Sequence, residues 1–465
     1  MVLKQRFCSS MVGFVKGSYI TRDACDRGFE RMHARDRIGD RLHLLFACIA
    51  MVGIGGPVSI VDIAVLPMVV FFLVRVVNTF PIWIHGFGQP VVLCGILLAA
   101  WMGVSLLWSS DPSAGLEHMS ELRWLAMIGF VYPVIEHRKL LIGCLCFGFF
   151  AGNVAQVFDA FNGFGNEWLA DRLWHYPERV SGWWDPAVGG SMLVAAVGLY
   201  LPIALFGQDW SKARIIGLLG FIVSIAGLIA TGTRGAWIAG AGLMLVAVLV
   251  GIGTKRWSRK TMVVGGLVAV VVVVIGSAAA WNVQSVADRV TNAKEELARA
   301  AEGDYLTSMG VRVSVGRQAI DAGLAHPIGG LGAGGFGDWM QQRTPEILDD
   351  HSHPHSSILR LLSEQGIPGV LIGVLLVVVL MTSSWRCVHQ EDRGTLLMGP
   401  FYAIVAVILV SAFDSVLLNV NTAALIGALA ALSPSYLPMS DSASSLGGDL
   451  ESTRDIARNG KEQSS

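Results

Sequence analysis

Residues 262–280, MVVGGLVAVVVVVIGSAAA, carry no charged side chain, and their reading decides the fold class. A hydrocarbon core about 30 Å thick takes roughly 20 apolar residues per helical crossing. Backbone amides in lipid must be satisfied within their own segment, so this run is predicted to be a membrane helix rather than a strand. Residues 370–381 repeat the pattern. The whole chain of 465 residues is 53% hydrophobic and 15% charged, with a mean hydropathy of +0.57. Ordinary globular domains carry roughly 25% charged residues. The expected class is an all-α, polytopic integral membrane protein. A net charge of −1 is uninformative because the charges are sorted by position, and no nucleic-acid partner is expected.

Working outward, apolar windows give about twelve candidate crossings. They are 42–54, 59–77, 90–108, 122–135, 140–159, 188–206, 215–230, 236–253, 262–280, 367–381, 396–410 and 417–432. The short connections 136–139, 208–214, 254–260 and 383–393 hold ten Lys or Arg residues, and all four fall on the side of the basic segment 1–41. The connection 109–121, on the other side, has acids and neither Lys nor Arg. The positive-inside rule then places both termini in the cytoplasm. The expected organisation is a basic tail at 1–41, nine crossings over 42–280, a large outer helical loop at 281–366, three crossings over 367–433 and a disordered tail at 434–465. The basic start lacks a following apolar stretch until Leu42, which argues against a cleaved signal peptide. Seven cysteines, with the Cys144-x-Cys146 pair inside an apolar run, suggest neither disulfides nor a metal motif.

Few residues in so apolar a chain can carry chemistry. Thr231-Gly-Thr-Arg-Gly-Ala-Trp237 forms the tight outer turn after the seventh crossing. A buried arginine at the membrane edge is unfavourable by up to about 3 kcal/mol, less if it snorkels. Arg234 is therefore either an interfacial anchor beside Trp237 or a cavity residue that binds an anion, with Gly232 and Gly235 letting backbone amides approach. In the large loop, Arg312 and Arg317 flank or occupy a helix expected over 313–324; a solvated helical face explains them as readily as a ligand does. His326-Pro-Ile-Gly-Gly-Leu-Gly-Ala-Gly-Gly-Phe336 contains a G-x-G-x-x-G match, but no βαβ unit surrounds it, so a dinucleotide fold is excluded. A flexible turn is favoured over a phosphate cradle. Asp349-Asp-His351-Ser-His353-Pro-His355 places histidines at alternate positions. They can ligate a metal, supply a general base near neutral pH, or serve structure alone. His355 opens a helix expected over 356–365, on which Arg360 and Glu364 can pair at i, i+4. In the other outer loop Arg179 is a weaker candidate, and Trp183 and Trp184 read as interfacial belt before sugar platform.

Taken together, Thr-Arg234-Gly-Ala-Trp, Arg312 ahead of His-Pro-x-x-Gly-x-Gly-x-Gly-x-Phe, and His353-Pro-His355-Ser-x-x-Leu-x-x-Leu-x-Glu364-x-Gly366-x-x-Gly369 resemble the O-antigen ligase and polymerase superfamily. The resemblance covers approximately 215–380. The family has Asn after the last histidine where this chain has Ser356, which can still cap a helix. The resemblance implies essential arginines at Arg234 and Arg312 and an essential histidine at His355, with His353 also commonly present; Arg317 and Arg179 stay as further candidate substrate contacts from the residues themselves. It also implies a donor glycan on undecaprenyl diphosphate, a lipid A–core acceptor, a bacterial inner membrane with the site on the periplasmic side, and no cofactor or metal.

Elementary chemistry agrees. Guanidinium groups match phosphate oxygens in bidentate fashion and stay protonated. In a partly dry cavity they stabilise the charge that grows on a leaving diphosphate, while an imidazole takes the acceptor proton, giving displacement with inversion. The leading expectation is an O-antigen ligase. A polymerase of O-antigen or exopolysaccharide, or a protein O-oligosaccharyltransferase, would use the same donor. A secondary transporter is the distant alternative, disfavoured because the apolar runs lack central acids and the halves do not repeat.

Overall fold

The computed structural model of the protein describes residues 22–160, 180–206, 212–253, 307–344, 353–389, 395–416 and 419–433, with separate positions between 295 and 305. The predicted ninth crossing, both outermost tails, Arg179 and the 349–352 part of the histidine segment lie outside the described residues. Among those described, every regular element is a helix. The chain opens with α1 (Arg22–Arg35), α2 (Arg37–Gly53), α3 (Val58–Val74) and α4 (Val76–Phe87). It continues through α5 (Pro90–Ser105), α6 (Pro112–Ser120), the short α7 (Met127–Val131) and α8 (Arg138–Ala160), with 3-10 turns between them. Next come α9 (Pro186–Phe206), α10 (Lys212–Ala230) and α11 (Arg234–Gly253). The large loop supplies α12 (Ser308–Ala325) and α13 (Phe336–Arg343); α14 (Ser357–His389), α15 (Gly399–Val410) and α16 (Val420–Ala431) close the fold. Among the described residues six helical runs are long and apolar enough to cross a membrane, or seven if the bent pair α3 and α4 is one span, and α15 and α16 are shorter apolar helices.

The centre of the bundle is α9, apolar all round and buried over 83% of its window, as expected for a helix with no solvated face. Helices in lipid associate through close packing rather than through the hydrophobic effect, which favours small residues at crossings. Gly198 is such a contact: a Cβ there would lie 2.6 Å from the backbone nitrogen of Ala403 on α15. Gly220 on α10 likewise admits the ring of Tyr200, whose hydroxyl donates to the Cys146 carbonyl at 2.6 Å.

Connections read from sequence as outer meet one another at one end of the bundle. The Asn421 amide and the Trp184 indole both donate to the Gly56 carbonyl, at 2.9 and 3.2 Å. Val180 N–H donates to Ala230, and the Thr233 hydroxyl donates to Pro186 at 2.6 Å. The reading of Trp184 as interfacial belt is corrected here. Trp184 is 3% exposed, while Trp183 is half-buried and donates to Gly55 at 3.2 Å; both indole N–H groups satisfy carbonyls of the Gly55–Gly56 link.

At the opposite end the expected crossing 59–77 stops early. α3 ends at Val74, and α4 leaves it at an angle of 109°. The hinge residue, Arg75, is only 4% exposed. Its Nε donates to Asp36 Oδ2 at 2.9 Å, a second nitrogen donates to Asp40, and a third meets His43 Nδ1 at 3.1 Å. A buried guanidinium needs partners of this kind, and they come from the start of α2, where Asp36 also caps the helix through Gly39 N–H. Part of the expected basic tail is thus ordered as α1, which buries Cys25, Phe29 and Met32.

His33 on α1 joins this network through Asp40 at 2.7 Å and Glu136 at 3.3 Å. Those carboxylates, Asp40 first, push its pKa from 6.5 up to about 10. A raised folded-state pKa contributes stability that is fully present below 6.5 and is lost as pH rises through about 10. His33→Gln should therefore melt below the parent protein near neutral pH, with the gap closing as alkaline pH is approached, in thermal unfolding of detergent-solubilised protein.

Candidate active site

The helix that carries the histidine segment is broken. Within α14, Gly366 adopts φ 65°, separating a first limb of Ser357–Gln365 from the crossing that follows. Such a break exposes backbone groups that must be paired, and the glycine-rich run pairs them. Leu331 N–H donates to Ser363 at 2.8 Å, Gly332 N–H to Glu364 at 3.0 Å, and Ile367 N–H to Pro327 at 2.8 Å. The approach is close enough that a Cβ on Gly330 (φ 62°) would lie 2.3 Å from the Glu364 carbonyl carbon. Both readings of the run are corrected: it is neither a flexible turn nor, at the amides of Leu331 and Gly332, a phosphate cradle. It is a backbone clasp. The Glu364 carboxylate tightens it by accepting from Gly334 N–H and pairing with Arg360 at 3.4 Å, the i, i+4 pair expected from sequence.

Gly366→Ala tests the clasp. A methyl group there would meet the Pro327 and Ile328 carbonyl oxygens at 2.7 Å, in a conformation that L residues rarely adopt. Strain of this kind costs about 1–3 kcal/mol, so the variant should melt several degrees lower and be recovered in reduced yield.

His353 and His355 stand with ring centroids 5.3 Å apart. Their segment is held from below by the connection between α15 and α16. The Ser415 hydroxyl donates to the Pro354 carbonyl, Ser357 N–H donates to Ser411 at 2.9 Å, and the Ser357 hydroxyl donates to the Asp414 carbonyl at 3.2 Å. Ser356 is buried, and its carbonyl accepts Arg360 N–H in the first helical turn.

The same connection reaches both arginines. Asp414 accepts from Ser415 N–H at 2.8 Å and from the Ser191 hydroxyl at 3.5 Å. Burial pushes its carboxyl pKa up; Ser415 N–H and the charge of Arg312 pull it down, while Asp185 pushes it up. Arg312 is thus electrostatically coupled to Asp414 from α12, where its own side is exposed. Arg234 opens α11 after a turn at Gly232 (φ 64°). Its neighbour Gly235 packs against Phe413, where a Cβ would come within 2.7 Å. The Arg234 guanidinium is 23% exposed and pairs with Glu296 at 3.4 Å. Trp237 turns its indole onto the Leu228 carbonyl at 2.9 Å. Arg317 lies exposed on α12.

The structure therefore gathers Arg234, Arg312 and His353–His355 around residues 411–416. Two participants carried no role in the sequence reading. Asp414 is a lone acid between two apolar stretches, a position where ionisable residues are costly and usually functional; that signal was present. His118, on α6, approaches Glu364 at 3.9 Å. It lines a cavity of about 40 Å³ with Ser357, Arg360, Glu364, Gln365 and Ser415. Local sequence gives no hint of that long-range contact.

The match to known families falls on these elements. Residues 219–375 match the family model described as O-antigen ligase, so that segment of the chain is similar to the O-antigen ligase family. The match contains Arg234, Arg312, the clasp and both histidines; His118 and Asp414 lie outside it. No curated protein matches the chain.

Proposed function

We propose that this membrane glycan transferase is an O-antigen ligase, moving a glycan from undecaprenyl diphosphate to lipid A–core on the periplasmic face of the inner membrane. The observation that supports the reading is that the segments carrying Arg234, Arg312 and the two histidines all meet the connection between α15 and α16. Arg234 and Arg312 hold the diphosphate, with Arg317 and Arg179 as outer contacts for the donor and His353 beside the acceptor. His355 accepts the proton of the attacking hydroxyl. The new bond forms from that oxygen to the anomeric carbon while the bond to the diphosphate oxygen breaks on the opposite face, so the configuration inverts. Charge accumulating on the diphosphate is what the arginines stabilise, and fixed donors in a site with little water do this better than bulk solvent. Asp414 is a positioning residue: as a partly desolvated acid beside Arg312 it holds that side chain ready without touching the substrate.

The deciding experiment deletes the gene and separates the lipopolysaccharide on a gel. Loss of the entire ladder, with polymer accumulating on undecaprenyl carrier, is the expected outcome. A core bearing a single repeat would instead assign polymerisation, and unchanged surface glycans would refute both.

A further inference from the structure

The end of the bundle remote from the site has a surface that the transfer reaction does not use. Because α4 leaves α3 at 109°, it runs roughly across the direction of the crossings. One side of it, Thr79, Ile82, His85 and Gly86, is buried. The other side exposes Val77 at 74%, Phe80 at 61% and Ile84 at 69%, with Trp83 at 45% beside them. An amphipathic helix of this composition, lying across the bundle axis and carrying a tryptophan, belongs at the acyl boundary of a leaflet. α1 stacks on its buried side: a Cβ on Gly28 would meet Ile82 at 2.7 Å and the Pro81 carbonyl at 3.1 Å.

That stacking fixes the depth of α1. Packed helices sit about 8–10 Å apart, and the headgroup layer on each face is roughly 5–8 Å deep. With α4 at the acyl boundary, α1 lies at the level of lipid phosphates. There it exposes Arg27, Arg31 and Arg35 at successive i, i+4 positions, and Arg37 and Arg41 follow, exposed, at the start of α2. Only Glu30 on α1 is exposed with the opposite charge among the described side chains. Arg27, Arg31 and Arg35 form no ion pair among the described residues, whereas Arg75 beneath them is committed to Asp36 and Asp40.

We propose that α1 and α4 together form a foot that selects anionic phospholipid, with Val77, Phe80 and Ile84 among the acyl chains and Arg27, Arg31 and Arg35 on the phosphates of the headgroups. The foot is built from two helices of opposite character held by a buried ion network, so the arginine stripe stays in register with the apolar one. It lies at the end of the bundle remote from the transfer site and acts independently of that site.

The test uses the full-length protein in mixed micelles containing equal amounts of phosphatidylglycerol and phosphatidylcholine, with co-purifying lipid measured by mass spectrometry. Each arginine near an anionic surface favours the charged lipid on the order of fivefold. The variant R27Q/R31Q/R35Q, altered only at exposed positions, should therefore lose about tenfold or more of the phosphatidylglycerol preference, while its melting temperature in zwitterionic detergent is unchanged. R27K/R31K/R35K keeps the charge and should retain the preference within about twofold, which guards against a fold defect in the first variant. Equal retention of the two lipids by the parent protein would overturn the proposal. So would undiminished phosphatidylglycerol in the glutamine variant, loss of preference in the lysine variant, or a parent dimer that the glutamine variant dissociates.

Discussion

His355→Ala is expected to lower transfer by about a hundred- to ten-thousandfold, the range that a positioned general base contributes, while undecaprenyl-linked glycan still binds. The assay is transfer between lipid-linked donor and acceptor in proteoliposomes at matched protein. His355 stands next to Pro354, whose carbonyl is held by Ser415, and close to Ser357, which is tied to Ser411 and Asp414. These bonds come from neighbouring residues and survive the substitution, so the local backbone should persist. Added imidazole should restore part of the activity if the lost function is proton acceptance, since a small base can occupy the space vacated by the ring. His353→Ala should cost less and show no such rescue. Parent-level turnover in His355→Ala would remove the imidazole from the mechanism.

The second large effect is expected at Arg312. Loss of one oxyanion-stabilising donor costs about 10²–10³ in turnover, and Arg312→Ala should fall in that range. Arg312→Lys should recover only a fraction, because an ammonium keeps the charge but not the planar fork. Asp414 is coupled to Arg312, and that coupling makes a sharper test. If Asp414 acts by holding Arg312, Asp414→Asn lowers turnover alone but adds little in the presence of Arg312→Ala. Neighbours that work through one another are non-additive in this way. Multiplying effects in the double variant would show that Asp414 works independently, and the positioning role would be withdrawn.

These expectations concern residues that the sequence exposed unevenly. The helical membrane class was legible because the signal is additive: every apolar residue in a window such as 262–280 contributes to it. Arg234 stood out because an arginine is conspicuous at the edge of an apolar run and His355 because of the alternate histidines around it, whereas Arg312 was singled out only by the family resemblance. The break at Gly366 and the clasp that satisfies it were only half legible. Glycines announced a special backbone at 326–336, but which carbonyls their amides would find depends on a segment about thirty residues away. Three features required the folded chain. The bend after Val74 lies inside one apolar window and falls at Arg75, whose partners Asp36 and Asp40 lie some forty residues earlier. Trp184 looked interfacial because tryptophan usually is, yet the Gly56 carbonyl draws it inside. His118 reaches Glu364 only once α6 and α14 have packed.

Arg75 also bears on how the chain enters the membrane. Residues 58–87 emerge from the ribosome as one long apolar stretch containing two charges, Asp62 near its start and Arg75 in its interior, long enough for the insertion machinery to accept in more than one frame. An arginine at the centre of an inserted helix costs about 2.5–3.5 kcal/mol, which penalises every frame except the one that leaves residue 75 at the surface. The carboxylates that later neutralise it have already been synthesised on α2. The nascent hairpin of α2 and α3 can therefore lock its frame before any of the glycan-handling elements exist, and a neutral residue at position 75 would remove that proofreading.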